Sequence, residues 1–233
     1  MRCLSLCWQV FFVVDQIAFK QIHTLTIIIT SLIMHSVVMS LLVSFYVYDS
    51  SNMYQLIWLN KLDILTNNQL VNIHAGFDET SQLLANKFPN ARLQVFDFYN
   101  PQLHTEISIR RARKAYPPYP NTLSISTAFF PLEASSVDCI FLFFAAHEIR
   151  DEAERIYFFK QLQQALKLSG KIVVAEHLRD FPNFMAYNIG CLHFLRQASW
   201  LHTFYQANLQ IVSQQKIKSF VTIFILQRNG TTS

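Results

Sequence analysis

His147 and Glu148 lie side by side just after the apolar run Asp138–Phe144. An imidazole with a reference pKa of about 6.5 exchanges protons near neutrality, so His147 is a candidate general base with Glu148 beside it. The pair also suits helix capping or an ion pair with Arg150. HEIRD contains His-Glu-x-x-Asp, two ligand types one helical turn apart, which is how a zinc site with Glu148 as base begins. The usual second histidine is missing and the sequence offers no evident third ligand, so no metal is assigned. His177, Arg179 and Asp180 follow the next apolar run and form either a second binding cluster or a local salt bridge. Arg110, Arg113 and Lys114 share a helical face through their three- and four-residue spacing, beside His104, Glu106 and Arg111. That face suits an anion, or is simply solvated.

Positioning these groups requires short strands alternating with helices. Leu70–His74, Leu93–Phe96, Ser124–Thr127, Asp138–Phe144 and Lys171–Ala175 read as strands, and the continuous apolar run of the fourth is that of a central parallel strand covered on both faces. Glu79–Phe88, Glu106–Tyr116, Glu152–Leu168 and Phe184–Asn208 read as helices, with Pro117 stopping the second and Ser169-Gly170 closing the third. Ile211–Lys216 and Ser219–Gln227 end the chain as an antiparallel pair. The expected fold is α/β: a doubly wound, mostly parallel sheet, Rossmann-like, with an antiparallel final strand. Ligands of such sheets bind at the carboxyl ends of the strands, where the histidines fall.

The segments PLEASSVDCIFLFFAAHEI and QALKLSGKIVVAEH, followed by the terminal strand pair, resemble the later half of class I S-adenosylmethionine-dependent methyltransferases. FDETSQLL, AAHEIRDEAERI and EHLRDFPNFMAYNIG further resemble an uncharacterised bacterial subgroup of that family. The resemblance covers about residues 70–226. It implies S-adenosylmethionine as cofactor, with Asn72, Gly76, Asp78, Asp97 and Thr127 on the cofactor side and His147, Glu148 and His177 toward the methyl acceptor. Asp97 would accept hydrogen bonds from a ribose diol; its alternative is a turn cap. The family's acid and three glycines fall on Asn72, His74, Gly76 and Asp78, so one glycine survives, and Ser126 stands where the family often has an acid. This erosion motivates an alternative, a non-catalytic binding module. Methyl transfer to an acceptor that carries no proton needs positioning more than a base.

Upstream, no Asp, Glu, Lys or Arg occurs between Lys20 and Asp49. Leu25–Tyr48 as a helix would be about 36 Å long, enough for a hydrocarbon core of about 30 Å. Residues 1–48 are therefore expected to be a membrane anchor, with Tyr46 and Tyr48 at the interface, and residues 49–233 the methyltransferase-like domain. Leu4–Phe19, interrupted by Asp15, is a poorer second span or an interfacial helix; a signal peptide or a buried helix are the other readings. A cytosolic cofactor places the domain on the cytoplasmic face. The net charge of +4 without a long basic run gives no reason to assign nucleic acid as a partner. Four cysteines without a Cys-x-x-Cys pair do not form a disulfide framework. The expected acceptor is a small apolar or lipid-like molecule.

Overall fold

The computed structural model describes residues 2–62, 68–102 and 107–230. His104 and Glu106 fall outside them. The chain divides into two compact units, residues 1–43 and 44–233.

The first unit is a single helix, α1 (Arg2–Ser44), without a break at Lys20, so the two apolar stretches do not form a two-span hairpin. Its 43 residues make a rod of about 65 Å. Apolar side chains such as Ile22, Leu25, Leu32, Ile33, Leu41 and Leu42 are exposed. It contains an apolar window long enough to cross a membrane. The helix ends four residues before the expected limit of the span. Phe45–Asp49 winds into a π turn with Val47 fully buried, and Tyr48 enters the second unit's interior.

The second unit carries seven strands: β1 (Gln69–His74), β2 (Arg92–Asp97), β3 (Leu123–Ser124), β4 (Val137–Phe143), β5 (Leu166–His177), β6 (Leu209–Ile217) and β7 (Val221–Arg228). Their order is β3-β2-β1-β4-β5-β7-β6. All neighbours are parallel except β7, which runs antiparallel to β5 and β6. The helices are α2 (Ser81–Lys87), α3 (Ile107–Ala115), α4 (Glu152–Ala165), α5 (Phe181–Tyr187) and α6 (Gln197–Gln206). Burial of Ile140, Phe141 and Leu142 on β4 and Ile172, Val173 and Val174 on β5 confirms a sheet covered on both faces. Phe158, Phe159 and Leu162 of α4 and Trp200 and Phe204 of α6 complete the core. Cys139 and Cys191 are buried and free.

Three sequence expectations are corrected. Helix α4 stops at Ala165, because Leu166 turns extended and pairs with Val137; Ser169 and Gly170 belong to β5 and cap nothing. A Cβ at Gly170 would come 2.8 Å from the Leu166 side chain and 3.0 Å from the Val137 carbonyl, so glycine lets this irregular start of the strand close. The third strand is only Leu123–Ser124, since the chain reverses where Phe129 N–H bonds Ser126 O. The helical stretch over Phe184–Asn208 breaks at Asn188, which takes φ +50°, and a 3-10 turn, Asn188–His193, follows. That break carries His193 to the site.

Candidate active site

The crevice lies at the carboxyl ends of β1 and β4, where the strand order reverses. β1 runs into His74, Ala75 and Gly76. Gly76 has φ +96°, and a Cβ there would sit 2.7 Å from the Tyr99 ring and 2.9 Å from Ile109. Both the left-handed backbone and the crowding demand glycine. Asp78 and Asn72 then fix the start of α2. Asp78 Oδ1 accepts from the Thr80 and Ser81 amides at 3.1 and 2.9 Å. Buried Asn72 donates to the Thr80 and Ser81 hydroxyls at 3.0 and 2.8 Å. In β1 and the turn after it, the buried atoms Asn72 Oδ1, His74 Nε2 and Asp78 Oδ2 have no hydrogen-bond partner among the described residues. His74 Nδ1 accepts from Gly76 N–H at 3.3 Å. Burial pushes the His74 pKa down, although Asp97 and Asp78 oppose it, so the ring is neutral.

Asp97 ends β2 and is 6% exposed. One carboxylate oxygen accepts from the Tyr99 amide at 2.9 Å. The other accepts from Arg113 Nη1 at 2.5 Å, and the same nitrogen donates to Gly76 O at 3.0 Å. The guanidinium lies over the Tyr99 ring, 4.5 Å from its centre. Arg110, Arg113 and Lys114 of α3 are all exposed, and Arg113 is the one whose guanidinium reaches Asp97 and Gly76 among the described residues. Thr127 lies elsewhere, tied to α4 by a bond to Glu154 Oε1 at 2.5 Å and one from Gln161 to its carbonyl at 2.8 Å.

On the opposite wall, β4 ends in a kink. Phe144 takes φ +51°, a conformation costly for a bulky side chain. It is held by its amide bond to Ala175 O at 2.9 Å and by stacking on the His177 ring. The kink throws Ala146–Glu148 into a 3-10 turn over the end of β5. There Glu176 receives both the amide of His147, at 3.2 Å, and its Nδ1, at 2.7 Å. Buried Arg155 secures the turn from behind by donating to Ile149 O at 2.8 Å and Thr203 at 3.1 Å.

His147 Nε2 lies 3.2 Å from Glu148 Oε1, and His193 Nε2 lies 3.3 Å from the same oxygen. Burial works against charging His147, but Glu176 and Glu148 outweigh it and raise its pKa to about 10. Burial would raise the Glu148 pKa, yet its bonds to His147 and His193 hold it well below the usual carboxylate range.

A cavity of about 260 Å³ joins the two walls, lined among others by His74, Phe77, Phe143, His147, Glu148 and His193. A smaller one of about 60 Å³ reaches Gly76, Asp78 and Arg113. His177 lines neither. Its Nδ1 faces the Asn183 side-chain oxygen and Phe220 O, both at 3.1 Å, so that nitrogen carries the proton and Nε2 accepts from the Tyr48 hydroxyl at 2.7 Å.

The structure therefore brings Gly76 and Asp78 together with His147 and Glu148 along the crevice, sets Asp97 behind Arg113 and His74, sets Asn72 beneath α2, and keeps His177 behind the wall. Sequence reasoning missed Glu176, His193 and Tyr48. Glu176 was legible as the acid ending the fifth strand next to His177; nothing local marked His193.

No protein-family model matches the chain, and no curated protein matches it. Solved structures do. A SAM-dependent methyltransferase from Methanosarcina mazei superposes with a TM-score of 0.55 at 12% identity, over 73% of this chain and 96% of that one. A SAM-dependent methyltransferase from Aquifex aeolicus gives 0.55 at 11% identity, over 78% and 91%. LepI in complex with SAH and a substrate analogue gives 0.52 at 14% identity, over 74% of this chain and 46% of that one. Residues 44–233 thus have the fold of class I SAM-dependent methyltransferases.

Proposed function

We propose that this domain is a S-adenosylmethionine-dependent methyltransferase, tethered to a membrane by α1 and facing the cytoplasm, with a small apolar or lipid-like acceptor. One observation carries the reading. The buried carboxylate of Asp97, at the end of β2, is joined to the obligate glycine turn at Gly76 through Arg113, which lines the smaller cavity.

The residues present fit the cofactor. His74 Nε2 and Asp78 Oδ2, 3.9 Å apart, are buried without a hydrogen bond beside the smaller cavity, which is costly unless a ligand or water supplies one. Asp97 would hold a ribose diol, and Gly76 would let the backbone approach closely. When bound, S-adenosylmethionine supplies a methyl group on a sulfonium as the electrophile. The chain's own contribution is positioning. His147, braced by Glu176, is held in a fixed orientation on the cavity wall beside Glu148. Phe77, Phe143 and Phe144 supply apolar surface suited to an apolar acceptor and to excluding water. The lone apolar helix supports the membrane tether. Incubating the protein with labelled cofactor and membrane lipid extract tests the acceptor class: label in the lipid fraction is expected, and label confined to soluble molecules would sink it.

One observation favours a second reading, a non-catalytic binding module. Arg113 occupies the Asp97 oxygen that a diol would need, and it must be displaced before a nucleoside binds there.

A further inference from the structure

His147, Glu148 and His193 come from two segments more than 40 residues apart, yet their ligand atoms all lie within 4.8 Å of one another. We infer that His147 Nε2, Glu148 Oε1 and His193 Nε2 form a binding site for a first-row divalent transition-metal ion, with Glu176 orienting His147 from behind. The inference is independent of whether the domain transfers methyl groups.

Two of the three separations fit, and the third, between the two imidazole nitrogens, lies within 4.8 Å and would close on binding. Two ligands each about 2.0–2.1 Å from a zinc ion lie about 3.3 Å apart at the tetrahedral angle. The observed edges from Glu148 Oε1 are 3.2 and 3.3 Å. The ligand types are two imidazoles and one carboxylate, the set of catalytic zinc sites and of the facial triad that holds iron(II). The atom behind the first ligand is also right. A metal-bound histidine typically gives its other ring nitrogen to a carboxylate, which fixes its tautomer and orientation. Glu176, 1% exposed, does this at 2.7 Å. Finally, all three ligand residues line the 260 Å³ cavity. An ion held by three protein ligands would keep a position for water or for an oxygen or sulfur atom of a second molecule in that cavity.

Without a metal, the Arg150 guanidinium donates to His193 O and lies against both ring nitrogens of His193. A bound ion would displace Arg150 from the His193 ring. Arg150→Gln is therefore expected to bind metal at least as tightly as the natural chain.

The test is titration of the full chain in detergent, stripped with chelator and without S-adenosylmethionine, with cobalt(II), followed by zinc(II) competition. Expected is one saturable cobalt(II) per chain, with a ligand-field spectrum that zinc(II) abolishes. His193→Gln and Glu148→Gln should weaken binding tenfold or more, and Glu176→Gln by about 10–100-fold. His202→Gln, at the surface pair with Glu152, should bind normally. Far-UV circular dichroism confirms folding of each variant. Absence of a saturable site in the folded natural chain would overturn the inference. So would equal affinity in natural chain and folded His193→Gln, or an equal loss in His202→Gln.

Discussion

Tyr48 and His177 lie 129 positions apart in sequence and share a hydrogen bond of 2.7 Å, hydroxyl to Nε2. The bond fastens the π turn Phe45–Asp49 to the end of β5. His177 is in turn stacked between Phe144 and Phe194, with ring centres 5.2 and 5.0 Å away. The second histidine of the site region thus supports the kink at Phe144 rather than touching the cavity.

Tyr48→Phe leaves His177 Nε2 buried without a donor, a loss of about 1–3 kcal/mol. Chemical denaturation of the full chain should show it. A midpoint equal to that of the natural chain would mean that the bond contributes nothing net.

His177 also sets a pH dependence. Burial lowers its folded-state pKa below the ordinary value, against the bonds from Phe220 and Asn183. Between that lowered value and about 6.5 the unfolded chain binds more protons than the folded one, so stability rises with pH. The stability is present above about pH 6.5 and declines as pH falls below it, by at most about 1.4 kcal/mol per unit for one group. His177→Gln should show a shallower decline; parallel pH profiles for variant and natural chain would contradict the assignment.

Gly76→Ala must strain a backbone at φ +96° and push on Tyr99, over which Arg113 lies. A loss of about 1–3 kcal/mol is expected, read as a lower denaturation midpoint. An unshifted midpoint would show that the turn relaxes freely.

The sheet was legible because buried parallel strands leave continuous apolar runs, as in Val137–Phe143, and because the final pair alternates less strictly but follows turn residues. The strand ends gave Gly76, Asp97, His147 and Glu148 their place. What the sequence hid depends on partners distant in the chain. His193 reaches Glu148 only because the chain breaks at Asn188, and a positive φ at asparagine is one option among several. Tyr48 read as the last residue of an apolar span, since its partner His177 lies 129 residues on. Helix α4 read too long because Leu166 suits a helix as well as a strand, and only its pairing with Val137 decides.

Arg113 stands on Asp97 where a diol would bind. Arg113→Met should therefore tighten S-adenosylmethionine binding severalfold by calorimetry. Weaker binding would show that Arg113 contributes to the ligand instead of guarding its site.

The most direct measurement is calorimetric titration of the full chain in detergent with S-adenosylmethionine, repeated on Asp97→Asn. Saturable binding that weakens about tenfold or more in the variant is expected, since a buried charge-assisted hydrogen bond contributes about 1.5–3 kcal/mol. No binding by the folded natural chain up to millimolar ligand would contradict the cofactor site and leave the fold as a binding module.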